Sequence, residues 1–227
     1  MEWYEISPFF LAILAFFISL AAQINVNTTF NKYAKVKNIS GITGAEAARA
    51  ILDRYGLFNV SVEHINGNLS DHFDPTANVV RLSDSTYRST SVAAIGVAAH
   101  ECGHAIQHAE NYSPVKLRMG LVKGTNFASA VSYFLVLAGL IFEISGLIYL
   151  GAAFFGIVAF FQLVTLPVEF DASKRAMAVL SSGILYNQSE LKGARKVLTA
   201  AALTYVAALV TSIMYLLRLL IMARRRN

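Results

Sequence analysis

Long uncharged apolar stretches alternate along the chain with a polar middle. Residues 9 to 22 are apolar and uncharged, and with Ile6 and Ile24 beside them they approach the ~20 residues needed to cross a bilayer core. The run from Phe127 to Leu166 is forty residues with one charge, Glu143, near its centre. That length predicts two spans, turning between Glu143 and Gly146. A last apolar run, Val197 to Leu217, lies between Lys196 and Arg218 and predicts a fourth span.

The middle of the chain is polar enough to fold in water. Thr43 and Glu46 form a capping box ahead of AEAARAILDRY, and Gly56 supplies a left-handed stop, so a helix is expected over residues 44 to 55. Asn66-Gly67, between VSVEHI and NLSDHF, predicts a two-strand hairpin. After Asp74-Pro75, NVVRLS at residues 78 to 83 predicts a third strand. Ser89, Thr90 or Ser91 caps the next helix, VAAIGVAAHECGHAIQH. These elements make an α+β membrane protein.

Composition sharpens this picture. Hydrophobic residues make up 56% of the 227, more than a water-soluble domain needs. The net charge of +5 does not come from a basic run interleaved with aromatics, so the expected partner is the lipid bilayer and not nucleic acid. A single cysteine, Cys102, excludes an intrachain disulfide. Glu2 and Glu5, with no Lys or Arg ahead of the first apolar stretch, read as a retained anchor and not a cleaved signal. Residues 25–124 hold ten Lys and Arg and residues 169–196 hold five, against four at the carboxyl end. The positive-inside rule places the first two groups in the cytoplasm and both termini outside. Arg224, Arg225 and Arg226 pull against that orientation, and a last segment that does not cross would remove the conflict.

The chemistry concentrates in His100-Glu101-Cys102-Gly103-His104, the HExxH pattern. Residues four apart share a helix face, so two imidazoles can reach one zinc ion, while Glu101 lies beside them as a general base for water. Chance placement of five His and nine Glu would give this spacing in roughly 0.4% of such chains, so coincidence is a poor account. Cys102 projects away from the ligand face. A catalytic zinc needs a third protein ligand. His108 lies about 12 Å along the helix from His100, too far without a chain break. His64 and His72 fall in the expected hairpin, and Glu169, in LPVEFDASKRA, emerges where the second hairpin span meets polar sequence. Taken alone, an acid at that place reads more readily as a solvated first-turn helix residue than as a ligand.

The segments SDHFDPTANVVRLS, VAAHECGHAIQH and PVEFDASKRAMAVL together resemble the YugP-like family of membrane-bound neutral zinc metallopeptidases, over essentially the whole chain. More distantly the chain is similar to the HtpX and CAAX prenyl protease group, gluzincins with two spans between HExxH and a glutamate ligand. The resemblance implies one Zn2+ per chain held by His100, His104 and Glu169, with Glu101 as base. The distant group carries an Asp four residues after its Glu ligand; here that position is Ser173 and the acid is Asp171, which could instead pair with Lys174 or Arg175. The expected domains are an anchor (1–24), a zincin-like catalytic domain of helix, short antiparallel sheet and HExxH helix (25–124), a transmembrane hairpin (125–168), a third-ligand region (169–196), and a last span with a basic tail (197–227).

The implied reaction is endopeptidase hydrolysis of a peptide or membrane-protein substrate. NVVRLS is a candidate edge strand for that substrate. His72, Tyr87 and Arg175 are candidates to steady the oxyanion. The alternative is a non-catalytic membrane scaffold that keeps its zinc, although one Cys and a general base fit a closed structural site badly. An intramembrane protease is disfavoured because Arg88 and Glu110 bracket the motif helix closely, and a transporter because Glu143 fits the hairpin turn.

Overall fold

The computed structural model describes residues 7–226. The first six residues of the expected anchor, with Glu2, Glu5 and Ile6, and Asn227 at the tip of the basic tail lie outside the described residues. In chain order the elements are α1 (Pro8–Tyr33), α2 (Gly44–Arg54), β1 (Ser61–His64), β2 (His72–Asp74), β3 (Val79–Leu82), α3 (Val92–Ala109), α4 (Ser113–Ile141), α5 (Ser145–Val179) and α6 (Gln188–Arg224). A π-helical turn, Leu180–Ile184, follows α5. Four helices, α1, α4, α5 with its π-turn, and α6, are long and apolar enough to cross a membrane. The fold is thus the α+β membrane class. The helices outrun the apolar runs at several ends, because apolar length marks a crossing while helix length continues into polar sequence.

Two compact units form. The first comprises residues 7–23, 116–167 and 204–226. Within it α4 and α5 meet through small residues: a Cβ added at Gly139 would lie 2.6 Å from Ile148 Cγ1, and one at Gly151 2.6 Å from Val136 Cγ2. The Ser132 hydroxyl donates to the Gly151 carbonyl at 2.8 Å, the kind of backbone approach that holds helices together in lipid. The turn between them falls at residues 142–144, with Glu143 in the left-handed region at φ 58°. Phe9, Phe10, Phe16 and Phe17 on α1 stay exposed, as a lipid-facing helix requires.

The second unit comprises residues 24–115 and 168–203. Its core joins Ile51 and Leu52 of α2, Val80 and Leu82 of β3, Ile95, Cys102 and Ile106 of α3, and Val179, Leu180, Leu185 and Leu198 from the later segment. The capping box closes as expected: Thr43 Oγ1 accepts from Glu46 N–H, and Thr43 N–H donates to Glu46 Oε2 at 2.7 Å. Gly56 takes the left-handed φ of 69°. Of the three candidate caps for α3, Ser91 serves, its Oγ accepting from Ala94 N–H at 3.1 Å.

The sheet corrects three expectations. Its order is β1-β3-β2, with β1 parallel and β2 antiparallel to β3, so it is mixed and not purely antiparallel. Asn66-Gly67 does not close a hairpin. Gly67, at φ 111°, instead donates its N–H to Asp84 Oδ2 at 2.8 Å inside a loop that carries the chain across to β2. The true hairpin is β2–β3, turned at Asp74-Pro75, where Asp74 Oδ1 accepts from Thr76 N–H and Ala77 N–H. NVVRLS is therefore the central strand and offers no edge to a substrate. Val79, Val80 and Leu82 are all buried, as a strand covered on both faces must be.

Candidate metal centre

His100 and His104 stand one turn apart on α3 with ring centroids 4.7 Å apart. Glu169 reaches them from α5 because α3 carries no side chain at Gly103. A Cβ there would lie 2.6 Å from the Ala172 carbonyl oxygen, so the bare backbone permits the close approach of the two helices. Glu169 is 2% exposed, and its Oε2 lies 3.3 Å from His100 Nε2 and 3.4 Å from His104 Nε2. These three are the one group of His, Cys, Asp and Glu among the described residues whose donor atoms converge in this way, within 4.8 Å of one another. Ligands about 2.05 Å from a tetrahedral ion are spaced about 3.3 Å apart, so the gaps suit zinc well.

The partners of the two imidazoles fix which nitrogen faces the centre. Gln107 is fully buried, and its Nε2 donates to the Val168 carbonyl and to Asp171 Oδ2, both at 2.8 Å. Its Oε1 must then face His104 Nδ1, 3.1 Å away, which has to carry the hydrogen. The Nε2 lone pair of His104 thus points at Glu169. Ser173 Oγ lies 3.2 Å from His100 Nδ1, and a hydroxyl that accepts there leaves His100 Nε2, the nitrogen nearer Glu169, free to bind a metal. Two nitrogen lone pairs and a buried carboxylate aimed at one point need a cation between them, so the donor set fits a zinc ion. When Nε2 carries a proton instead, burial opposes the charged His104, yet its hydrogen bond to Glu169 and the charges of Glu101 and Glu169 outweigh that and raise its pKa.

Asp171 works one step back. Its Oδ2 accepts from Gln107 and, at 2.6 Å, from Arg175 Nε, while Arg175 Nη1 donates to Glu110 Oε2 at 2.6 Å and its guanidinium stacks on Tyr112. Asp171 thus pairs with Arg175 and is also linked to His104 through Gln107. Ser173, which stands where the distant group has Asp, contacts His100 itself. Gln107 was not singled out from sequence; its place three residues after His104, on the same helix face, is the signal that could have found it.

Glu101 is buried, and its Oε2 accepts from the backbone N–H of Phe73 on β2 at 3.1 Å. The other histidines are engaged elsewhere. His64 Nε2 meets Asp84 Oδ1 at 2.6 Å and its ring lies edge-on to Tyr87, which packs against the core. His72 Nδ1 donates to the Ser70 carbonyl on an exposed part of β2, and the His108 ring packs on Phe73. Neither His64, His72 nor His108 joins the converging group. Cys102 donates to the Ala48 carbonyl, and burial pushes its thiol pKa far up, so it stays neutral.

Residues 8–224 match the family described as "Putative neutral zinc metallopeptidase", and the chain belongs to that family. It is 50% identical over 209 residues to a Bacillus subtilis (strain 168) protein described as "Putative membrane protease YugP", covering 92% of this chain and 93% of that one. No solved structure matches the chain.

Proposed function

We propose that this chain is a membrane-bound zinc metalloendopeptidase of the gluzincin kind, with His100, His104 and Glu169 as ligands and Glu101 as general base. The observation that carries the reading is the convergence of two oriented imidazoles and a buried carboxylate beside a second buried carboxylate. Zinc held there would supply Lewis acidity, polarising the scissile carbonyl and acidifying water. Glu101 takes the water's proton on Oε1 and passes it to the leaving amine, while Phe73 N–H fixes Oε2 and so aims the carboxylate. Gln107 and Ser173 hold the imidazoles in the tautomer that leaves Nε2 available. Of the oxyanion candidates, Arg175 is committed to Asp171 and Glu110, and Tyr87 to the core, so His72, exposed on the strand that contacts Glu101, is the one we retain. The Lys and Arg distribution supports a cytoplasmic side for residues 25–124 and 169–196.

The test is proteolysis of an unstructured reporter by detergent-purified protein, with bound zinc quantified. Glu101→Gln should keep zinc and lose activity, and Glu169→Ala should lose both. Zinc-loaded wild type that cleaves nothing across broad peptide libraries supports the scaffold alternative. Full zinc and activity in Glu169→Ala overturns the ligand set.

A further inference from the structure

A cavity of about 450 Å³ opens within the same unit on the α5–α6 hairpin, lined by neither the converging donors nor Glu101. Phe170, Lys174 and Met177 line it from α5, spaced as one helix face, and Arg195, Leu198 and Ala202 line it from α6 in the same manner. Its floor is apolar, it carries two cations, and no carboxylate lines it. Lys174 and Arg195 are both exposed, and neither enters a salt bridge among the described residues. Asp171, the acid nearest Lys174 in sequence, is already held by Gln107 and Arg175. Ser173 also lines the cavity, but its hydroxyl is engaged by His100, so recognition of a charged ligand falls to the two cations.

The order of residues along both helices supplies the rest. Phe170, 48% exposed, and Ala202 lie at the ends of the lining nearest the long apolar runs of α5 and α6. Lys174 follows Phe170 by about 6 Å of helix rise, and Arg195 precedes Ala202 by about 10 Å. From Phe170 to Lys174 on α5, and from Ala202 through Leu198 to Arg195 on α6, the lining passes from apolar to cationic in the direction that leads out of the apolar segment. That gradient matches a phospholipid standing in a leaflet, with acyl carbons against Phe170, Leu198 and Ala202 and an anionic head between Lys174 and Arg195.

We infer that this cavity is a binding site for one anionic phospholipid. It is independent of the metal and of the reaction. Full-length protein in neutral detergent, titrated with dioleoyl phosphatidylglycerol or dioleoyl phosphatidylcholine and read by native mass spectrometry, tests it. Wild type should retain the anionic lipid about thirtyfold more tightly, the effect of two cations near an anionic head. Lys174→Gln with Arg195→Gln should abolish that preference while zinc content and melting temperature stay unchanged, whereas Lys35→Gln with Lys37→Gln should leave it intact. Inorganic phosphate alone should not compete. Equal retention of both lipids by wild type, or an undiminished preference in the Lys174/Arg195 variant, overturns the assignment. Displacement of the lipid by an acidic peptide with a free carboxylate, dependent on the same two residues, reassigns the cavity to a peptide.

Discussion

Gln107 and Gly103 are the residues through which the rest of the fold reaches the candidate metal centre. Gln107 spends both amide hydrogens on Val168 and Asp171, and so can only accept from His104. Gln107→Leu keeps the volume and removes the orientation, and zinc affinity should fall by about tenfold to a hundredfold, the usual loss when such a partner is removed. Competition with a chromophoric chelator measures it, and an unchanged affinity rejects the role. Gly103→Ala should act on a different axis. Its Cβ would push against the Ala172 backbone, one turn beyond Glu169, and should cost about 1–3 kcal/mol in stability as overpacking and loosen zinc as well. Thermal unfolding with and without metal separates the two effects.

At the scale of elements, Asp84 ties down the loop between β1 and β2. The Gly67 N–H lowers its pKa first, with His64 adding to the effect. A depressed carboxylate stabilises fully above its unfolded pKa, so this tether should hold above about pH 4 and be lost as pH falls through the lower folded value. Protection of the Gly67 amide, measured relative to its intrinsic exchange rate at each pH, should fall in that acid range, and Asp84→Asn should remove the pH dependence. Thr43→Ala should cost about 1 kcal/mol through loss of the α2 cap, read by urea unfolding. Local signals like that cap, Gly56 and Ser91 were legible in the sequence because each acts within four residues. The sheet order was not, since Asn66-Gly67 satisfies a turn pattern while a contact seventeen residues away decides its use. Val79 and Val80, two adjacent apolar residues with no polar alternation between them, did carry a sign of a central strand, although Arg81 interrupts the run before Leu82. His100, Glu101 and His104 stood out by spacing, but Glu169 needed the family resemblance, because sixty-five residues of chain separate it from His104.

On the scale of the whole molecule, the unit that bears the site is made of two chain segments, 24–115 and 168–203, parted by the α4–α5 hairpin. Leu180, Leu185 and Leu198 of the later segment complete its core. A fragment of residues 25–115 should therefore neither fold cooperatively nor bind zinc stoichiometrically, as circular dichroism and metal analysis would show; a folded, zinc-loaded fragment contradicts this. Cys102, buried and neutral, is a silent background for thiol labelling. With an impermeant maleimide on intact cells, Glu143→Cys should label and Asn68→Cys should label only after permeabilisation; the reverse pattern inverts the proposed orientation.

The split also sets a sequence of events at the ribosome. A nascent chain that has emerged as far as Val115 displays His100, Glu101 and His104 without Glu169, and lacks part of the core that would hold them. Under the proposed function, a half-made copy is harmless to the proteins around it. Under that reading competence arrives only after the hairpin has been synthesised and α5 has delivered its carboxylate, so successful biogenesis is itself an activating step.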